Sequence, residues 1–317
     1  MILKRRQIIS LIFLIVIFGI APVVWYYLGG ESSPAPAVFP FRKSPWFEQL
    51  ALAGAIGFIK PLYTLLALFA IIVLRRPKSQ ADFALFWGLI FFCVAELACG
   101  ANIIFYGNRS YSLEFVHGYG MVLNFAFVAY ALIQTVDVRV LGYSDPAQRC
   151  ALSALCAGCR KAAIRPCILR RMVYFFLPIL IILAIIPLIS GFNFTSYQTQ
   201  ILSWTYIFSR PEVFQIFDFR IVPLYALLFL ITAYVVFLRN KDNLADLFKV
   251  FLAAGIGSLG FSYLRLVFFD AYAGNLIWAE FWEELTELIY ISALIFLMWL
   301  FAADRLQGKF SGVRTKN

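Results

Sequence analysis

Eight apolar stretches, each close to the roughly 20 residues that a helix needs to cross a bilayer's hydrocarbon core, constrain this 317-residue chain more than any motif in it. They run approximately from Ile8 to Leu28, Gln49 to Leu74, Phe83 to Tyr106, Val116 to Asp137, Met172 to Phe192, Ile221 to Leu238, Val250 to Phe269 and Trp282 to Ala302. With 62% hydrophobic and 14% charged residues, a water-soluble globule would lack the polar surface to cover itself. Backbone amides in lipid can be satisfied only within a helix or a closed barrel, and stretches of this length specify helices. The expected fold class is therefore all-α: a polytopic helical membrane protein with about eight transmembrane helices, solvated by the lipid bilayer.

Basic residues give the orientation, because cytoplasmic loops retain them. With the N-terminus and C-terminus both cytoplasmic, twenty of the 27 Lys and Arg residues fall inside, among them Lys4, Arg75, Arg139, Arg160 and Arg305. Arg42, Lys43, Arg109, Arg210 and Arg220 fall outside, and Lys60 and Arg265 lie within spans. The formal +10 charge is then a topology signal for a plasma or inner membrane, and no nucleic acid is implied. Lys4-Arg5-Arg6 ahead of an apolar run also resembles a signal peptide, with Ala35-Pro36-Ala37 as a cleavage site, but the length of the run favours an uncleaved first span.

Spacing suggests two halves. Residues 1–137 would form the first four spans, 138–171 a cytoplasmic basic loop, 172–302 the second four spans and 303–317 a cytoplasmic tail. Spans of the second half begin roughly 164–170 residues after those of the first. The pairs Gly107-Asn108 and Gly274-Asn275 stand 167 apart. Four spans per half would make the halves parallel repeats about an axis along the membrane normal. Accidental agreement of loop lengths explains the spacing equally well.

The basic loop holds four of the six cysteines, Cys150, Cys156, Cys159 and Cys167, spaced C-x5-C-x2-C-x7-C. In a reducing cytosol, metal ligation explains them better than disulfides do. Arg149, Arg160, Lys161 and Arg165 would favour the thiolates. A tetrahedral zinc site is the leading expectation, with an iron–sulfur cluster or no metal as alternatives, since the spacing is neither a zinc ribbon nor a ferredoxin run.

Ionisable groups inside spans are costly and demand a reason. Lys60 in the middle of the second span and Glu96 in the third are candidates for a pair. Arg265 in the seventh could reach Glu280, Glu283, Glu284 and Glu287, which share one face of the eighth. His117, the only histidine, sits at the outer end of the fourth span near Tyr119 and Asn124. Lys60, Glu96, His117, Arg265, Glu284 and Glu287 together would make an outward-facing site for a small ligand or ion. The competing reading makes the ion pairs register locks and leaves the span-end glutamates in interfacial water.

Other signals fail on context. Gly255-Ile-Gly257-Ser-Leu-Gly260 matches a dinucleotide fingerprint but lies inside an apolar span, where Ala253, Ala254, Gly257 and Ser258 read as a close-packing helix face. One histidine excludes bis-histidine haem and three-histidine zinc centres. Serine-hydrolase and P-loop motifs are absent, which argues against an enzyme. Three roles remain open. The first is a transport or ligand-binding protein with a metal-stabilised cytoplasmic loop, and the second a quinone-linked electron-transfer protein with an iron–sulfur cluster. The third is a non-catalytic scaffold whose basic loop docks anionic lipid or a cytoplasmic protein.

Overall fold

The computed structural model describes residues 39–107, 110–141, 168–239 and 244–311. The expected first span and the four-cysteine loop lie outside them. The described residues form seven helices and one hairpin: α1 (Trp46–Leu74), α2 (Gln80–Tyr106), α3 (Tyr111–Val140), α4 (Ile168–Ile189), β1 (Tyr197–Ile201), β2 (Trp204–Phe208), α5 (Glu212–Arg239), α6 (Ala245–Ala271) and α7 (Leu276–Ser311). Five of these helices, and the Met172–Ile189 stretch of α4, are long and apolar enough to cross a membrane. The 36-residue α7 carries four glutamates in its first turns and no charge from Leu288 to Ala303.

The helices begin earlier than hydropathy alone suggests, and at α2 and α3 polar caps mark the start. Ser79 and Asp82 form a reciprocal capping box at α2, and the Ser110 hydroxyl accepts from the Leu113 amide at α3. At the far end of α2, Gly107 takes the left-handed conformation (φ +57°) that ends a helix most cheaply in glycine. The expected outer loop from Asn193 to Arg220 is not plain coil. It contains the antiparallel hairpin, with Tyr197 opposite Phe208 and Ile201 opposite Trp204, and then the head of α5.

Two helices share an irregularity. In α1 the turn Ala55–Ile59 is wide, with the Lys60 amide bonding back to the Ala55 carbonyl, and in α5 Phe217–Ile221 is wide in the same way, with Val222 bonding to Phe217. Each wide turn ends two residues before a proline, Pro61 or Pro223. A proline has no N–H to give, and its ring crowds the carbonyl four residues back; a locally wide turn relieves both. The heads of α1 and α5 stand 166 residues apart, and those of α2 and α6, and of α3 and α7, 165 apart.

The central helices are α3 and α6. Ala253, Ala254, Gly257 and Ser258 are all buried. A Cβ on Gly257 would stand 2.4 Å from the Ala126 amide nitrogen, so this glycine lets two backbones touch. α2 packs on one side of α3, and α5 and then α4 follow beyond α6, while α7 lies against α1 and closes over the cluster that contains Phe92, Phe127 and Phe261. Outward faces are apolar: Phe175 and Ile189 of α4 are 73% and 77% exposed, and Leu65 of α1 is 64% exposed. Such surface suits lipid and would be a liability in water.

Across one end of the helices lies a cap made of the hairpin and the segment before α1. The Arg42 amide donates to the Gln198 carbonyl (2.8 Å), Ser44 and Thr199 share a hydroxyl bond (2.7 Å), and Asn275 between α6 and α7 donates to Glu48 (2.6 Å). Beneath it Leu52, Tyr197, Phe208, Leu276 and Ile277 form their own apolar cluster.

Candidate functional site

The wide turn in α1 delivers Lys60 to the middle of the helix group, and Tyr63 three residues on shares its face. The Lys60 ammonium stands 2.6 Å from Glu96 Oε2 on α2 and 2.8 Å from Glu284 Oε1 on α7, and donates to the Tyr63 hydroxyl at 3.0 Å. The Tyr63 oxygen in turn lies 2.5 Å from both Glu96 Oε2 and Glu284 Oε2. One ammonium and one phenol thus tie three helices together. Lys60, Glu96 and Glu284 are 7%, 2% and 3% exposed, so water does not screen them.

Glu287, one turn beyond Glu284, completes a trio: carboxylate oxygens of Glu96, Glu284 and Glu287 lie within 4.8 Å of one another. Glu287 Oε2 and Glu96 Oε1 are buried without a hydrogen-bond partner. His117 Nδ1 is 3.6 Å from that free oxygen of Glu96 and 3.3 Å from the Ala95 carbonyl. Beside the trio, α3, α6 and α7 line a half-open cavity of about 80 Å³ whose wall includes His117, Met121, Phe261, Arg265, Glu287 and Tyr290. That is room for several waters or a small ion.

Arg265 does not join Lys60. It bonds Glu283 of α7 (3.2 Å) and stands 3.8 Å from Glu114 of α3, forming a second bridge at the cavity's edge. Glu280, the first of the four along α7, accepts from Tyr206 of the hairpin at 3.2 Å. Burial, reinforced by the Glu280 carboxyl, pushes the Tyr206 phenol above its ordinary range, so it remains a donor. The four glutamates of α7 therefore have four different surroundings. The expectation that they sit in interfacial water fails for Glu284 and Glu287, which are buried at 3% and 7% exposure, Glu284 against Lys60 and Tyr63 of α1.

All six residues picked out as an intramembrane site fall in this region; Lys60, Glu96, His117 and Glu284 are joined through contacts, and Glu287 and Arg265 line the cavity. Cys150, Cys156, Cys159 and Cys167 lie outside the described residues. Sequence reasoning passed over Tyr63, although its place three residues after a buried lysine puts it on the same face. It also counted Lys249 among loop charges. The side chain is 1% exposed and bonds Asp137 (2.6 Å) and Gln134 (2.7 Å), locking α6 to α3 at the end away from the hairpin.

No protein-family model, characterised protein or solved structure matches this chain.

Proposed function

We propose that the chain is an integral membrane protein that binds, or moves across the bilayer, a small cation or polar ligand at the Glu96, Glu284 and Glu287 site. One observation carries the reading. Three buried carboxyls cluster beside a single ammonium that touches two of them, and the third, Glu287, has a buried oxygen without a hydrogen-bond partner and belongs to the wall of a cavity large enough for an ion. Fully ionised, the trio exceeds Lys60 by two negative charges, and burial makes such an excess unstable without a bound cation. The 20 to 5 division of basic residues supports placing the hairpin end, and with it the site, toward the outside. Matching helix offsets, and the wide turn before a proline in both α1 and α5, support two parallel halves. The spacing of the four cysteines supports a zinc-stabilised loop between them.

Thermal unfolding of the full chain in detergent, titrated with sodium, potassium, magnesium and protons, tests the site. A ligand that binds only the folded form raises the midpoint with its concentration. We expect at least one of these cations to do so, and Glu287→Gln to abolish the response. Equal responses in wild type and variant would remove the site from the reading.

A further inference from the structure

We propose that the ligand of this site is the proton, held on Glu284 in a fixed bridge through Tyr63 to an ionised Glu96, with Glu287 as the group that exchanges protons through the cavity. The inference rests on the Glu96, Glu284 and Glu287 cluster being the ligand site, and it follows from a count of hydrogens.

Lys60 has three N–H bonds and three acceptors, Glu96 Oε2, Glu284 Oε1 and Tyr63 Oη, so all its donors are used. The Tyr63 oxygen spends one lone pair on Lys60. One hydrogen and one lone pair are left for two carboxyl oxygens, Glu96 Oε2 and Glu284 Oε2, each 2.5 Å away. A phenol cannot donate one hydrogen twice. One contact has the phenol as donor, and the other requires a carboxylic acid that donates to the phenol. Separations this short are those of O–H···O hydrogen bonds, with a charged acceptor at Glu96, and not of a carboxylate anion facing a phenol lone pair.

Geometry distinguishes the two carboxyls. Glu96 meets both Lys60 and Tyr63 through the same oxygen, and has His117 beside its other one, which suits an anion. Glu284 uses different oxygens: Oε1 accepts from Lys60 and Oε2 faces Tyr63. That division fits an acid whose carbonyl oxygen accepts and whose hydroxyl donates. Lys60 and Glu96 then cancel, Glu284 is neutral, and Glu287 is the carboxyl whose charge is uncompensated. Its Oε2 is buried without a partner, and the residue is 7% exposed on the cavity wall. Glu287 in its acid form releases a proton to water in the cavity and keeps the electron pair as carboxylate; uptake is the reverse. Charged and titratable groups face this set from every side: Lys60 and Tyr63 of α1, Glu96 and Cys99 of α2, His117 of α3, Arg265 of α6, and Glu280 and Glu283 of α7 with Tyr206 above them. The nearest cations are committed, Lys60 to Glu96 and Glu284 and Arg265 to Glu283, which leaves Glu287 to balance its charge by protonation.

The test is infrared difference spectroscopy on the full chain in lipid at neutral pH, parent against Glu284→Gln, with Glu287→Gln as the parent so that only the bridge is read. A glutamine can mimic the acid, its carbonyl accepting from Lys60 and its amide donating to Tyr63. We expect the substitution to remove a protonated-carboxyl carbonyl band and to leave the thermal midpoint within a few degrees. Glu96→Gln removes the anion of the bridge, so that Glu284 must give up its proton to hold Lys60 and the donor to Tyr63 is lost, and should lower the midpoint much further. Loss of carboxylate bands in place of the acid band, or equal tolerance of Glu96→Gln and Glu284→Gln, would overturn the assignment. This outcome is separate from the cation titration above: an acid on Glu284 can be present or absent whether or not Glu287 responds to added ions.

Discussion

Replacing Lys60 by methionine keeps most of the side chain's volume and removes the ammonium that touches both Glu96 and Glu284. At separations of 2.6 and 2.8 Å, the gross attraction to one ionised carboxylate is roughly 6 kcal/mol at an effective dielectric of about 20. Desolvating the two ions costs several kcal/mol each, so the intact pair contributes little net stability. Removing one partner leaves the desolvation without the attraction. For Lys60→Met we expect a loss of about 3–5 kcal/mol. The double change Lys60→Met, Glu96→Gln should recover about 1–3 kcal/mol of it by removing the stranded charge. Denaturant unfolding in mixed micelles, followed by tryptophan fluorescence, measures both. The pH dependence has a definite sign. The folded variant can relieve the stranded charge by binding a proton that the unfolded chain does not hold at neutral pH. Its deficit should therefore shrink as pH falls, by up to about 1.4 kcal/mol per pH unit for one extra proton. A loss below about 1 kcal/mol for the single change, or losses that simply add in the double, would refute a buried ion pair at this position.

Other tests address the frame around the site. Gly257→Ala puts a methyl 2.4 Å from the Ala126 nitrogen, where no flexible side chain can yield, and should cost at least about 1–3 kcal/mol in the same unfolding assay. Lys249→Met should be more damaging than Lys249→Met with Asp137→Asn, because the second change removes the charge that the first strands; additive losses would mean that the 2.6 Å contact is not an ion pair in solution. Metal analysis of the purified chain should give about one zinc per molecule, lost on Cys156→Ser with Cys159→Ser; iron with acid-labile sulfide would transfer the loop to redox chemistry.

The helices, and the two charges at the centre of the site, were readable from the sequence because both follow from one cost. Twenty apolar residues announce a helix in lipid, and a lysine or glutamate among them announces a partner. Glu96 was readable as a partner of Lys60, but Glu284 was not. Glu96 and Glu284 are separated by most of the chain, and only the way α7 closes against α1 decides that Glu284 takes Lys60 while Glu283 takes Arg265. Positions one residue apart point about 100° apart on a helix, so a small error in packing would exchange those roles. The hairpin was missed for another reason. Its residues pair through backbone, and its Thr and Gln positions look like ordinary loop until Phe208 and Tyr197 are seen to cover an apolar cluster. The wide turns were visible as Lys60-Pro61 and Val222-Pro223, but a proline in an apolar run also permits a kink or a break.

The two wide turns bear on how such a site could arise. If α1 and α5 are equivalent members of two halves, each has a residue before its proline, although these two stand 162 apart where the helix heads stand 166 apart, so they differ in depth by about one turn. In one half that residue is Lys60, and in the other it is Val222, which is buried among apolar neighbours. The partners are unequal too: Glu96 comes from the first half, while Glu284 and Glu287 come from the second. The site then spans the junction of two similar frameworks, yet its chemistry has no counterpart in the mirrored position. A repeat that keeps its backbone geometry while its polar residues differ would show helix offsets of 165 and 166 with little residue identity, which is the pattern present here. It follows that Val222→Lys should not create a second site, because the positions 165 and 166 residues from Glu96 and Glu284 hold Phe261, Ser262, Tyr119 and Gly118 in place of carboxyls. The substitution should instead destabilise the chain by burying an unpaired charge, and survival of a stable Val222→Lys protein would argue against equivalent burial of the two turns.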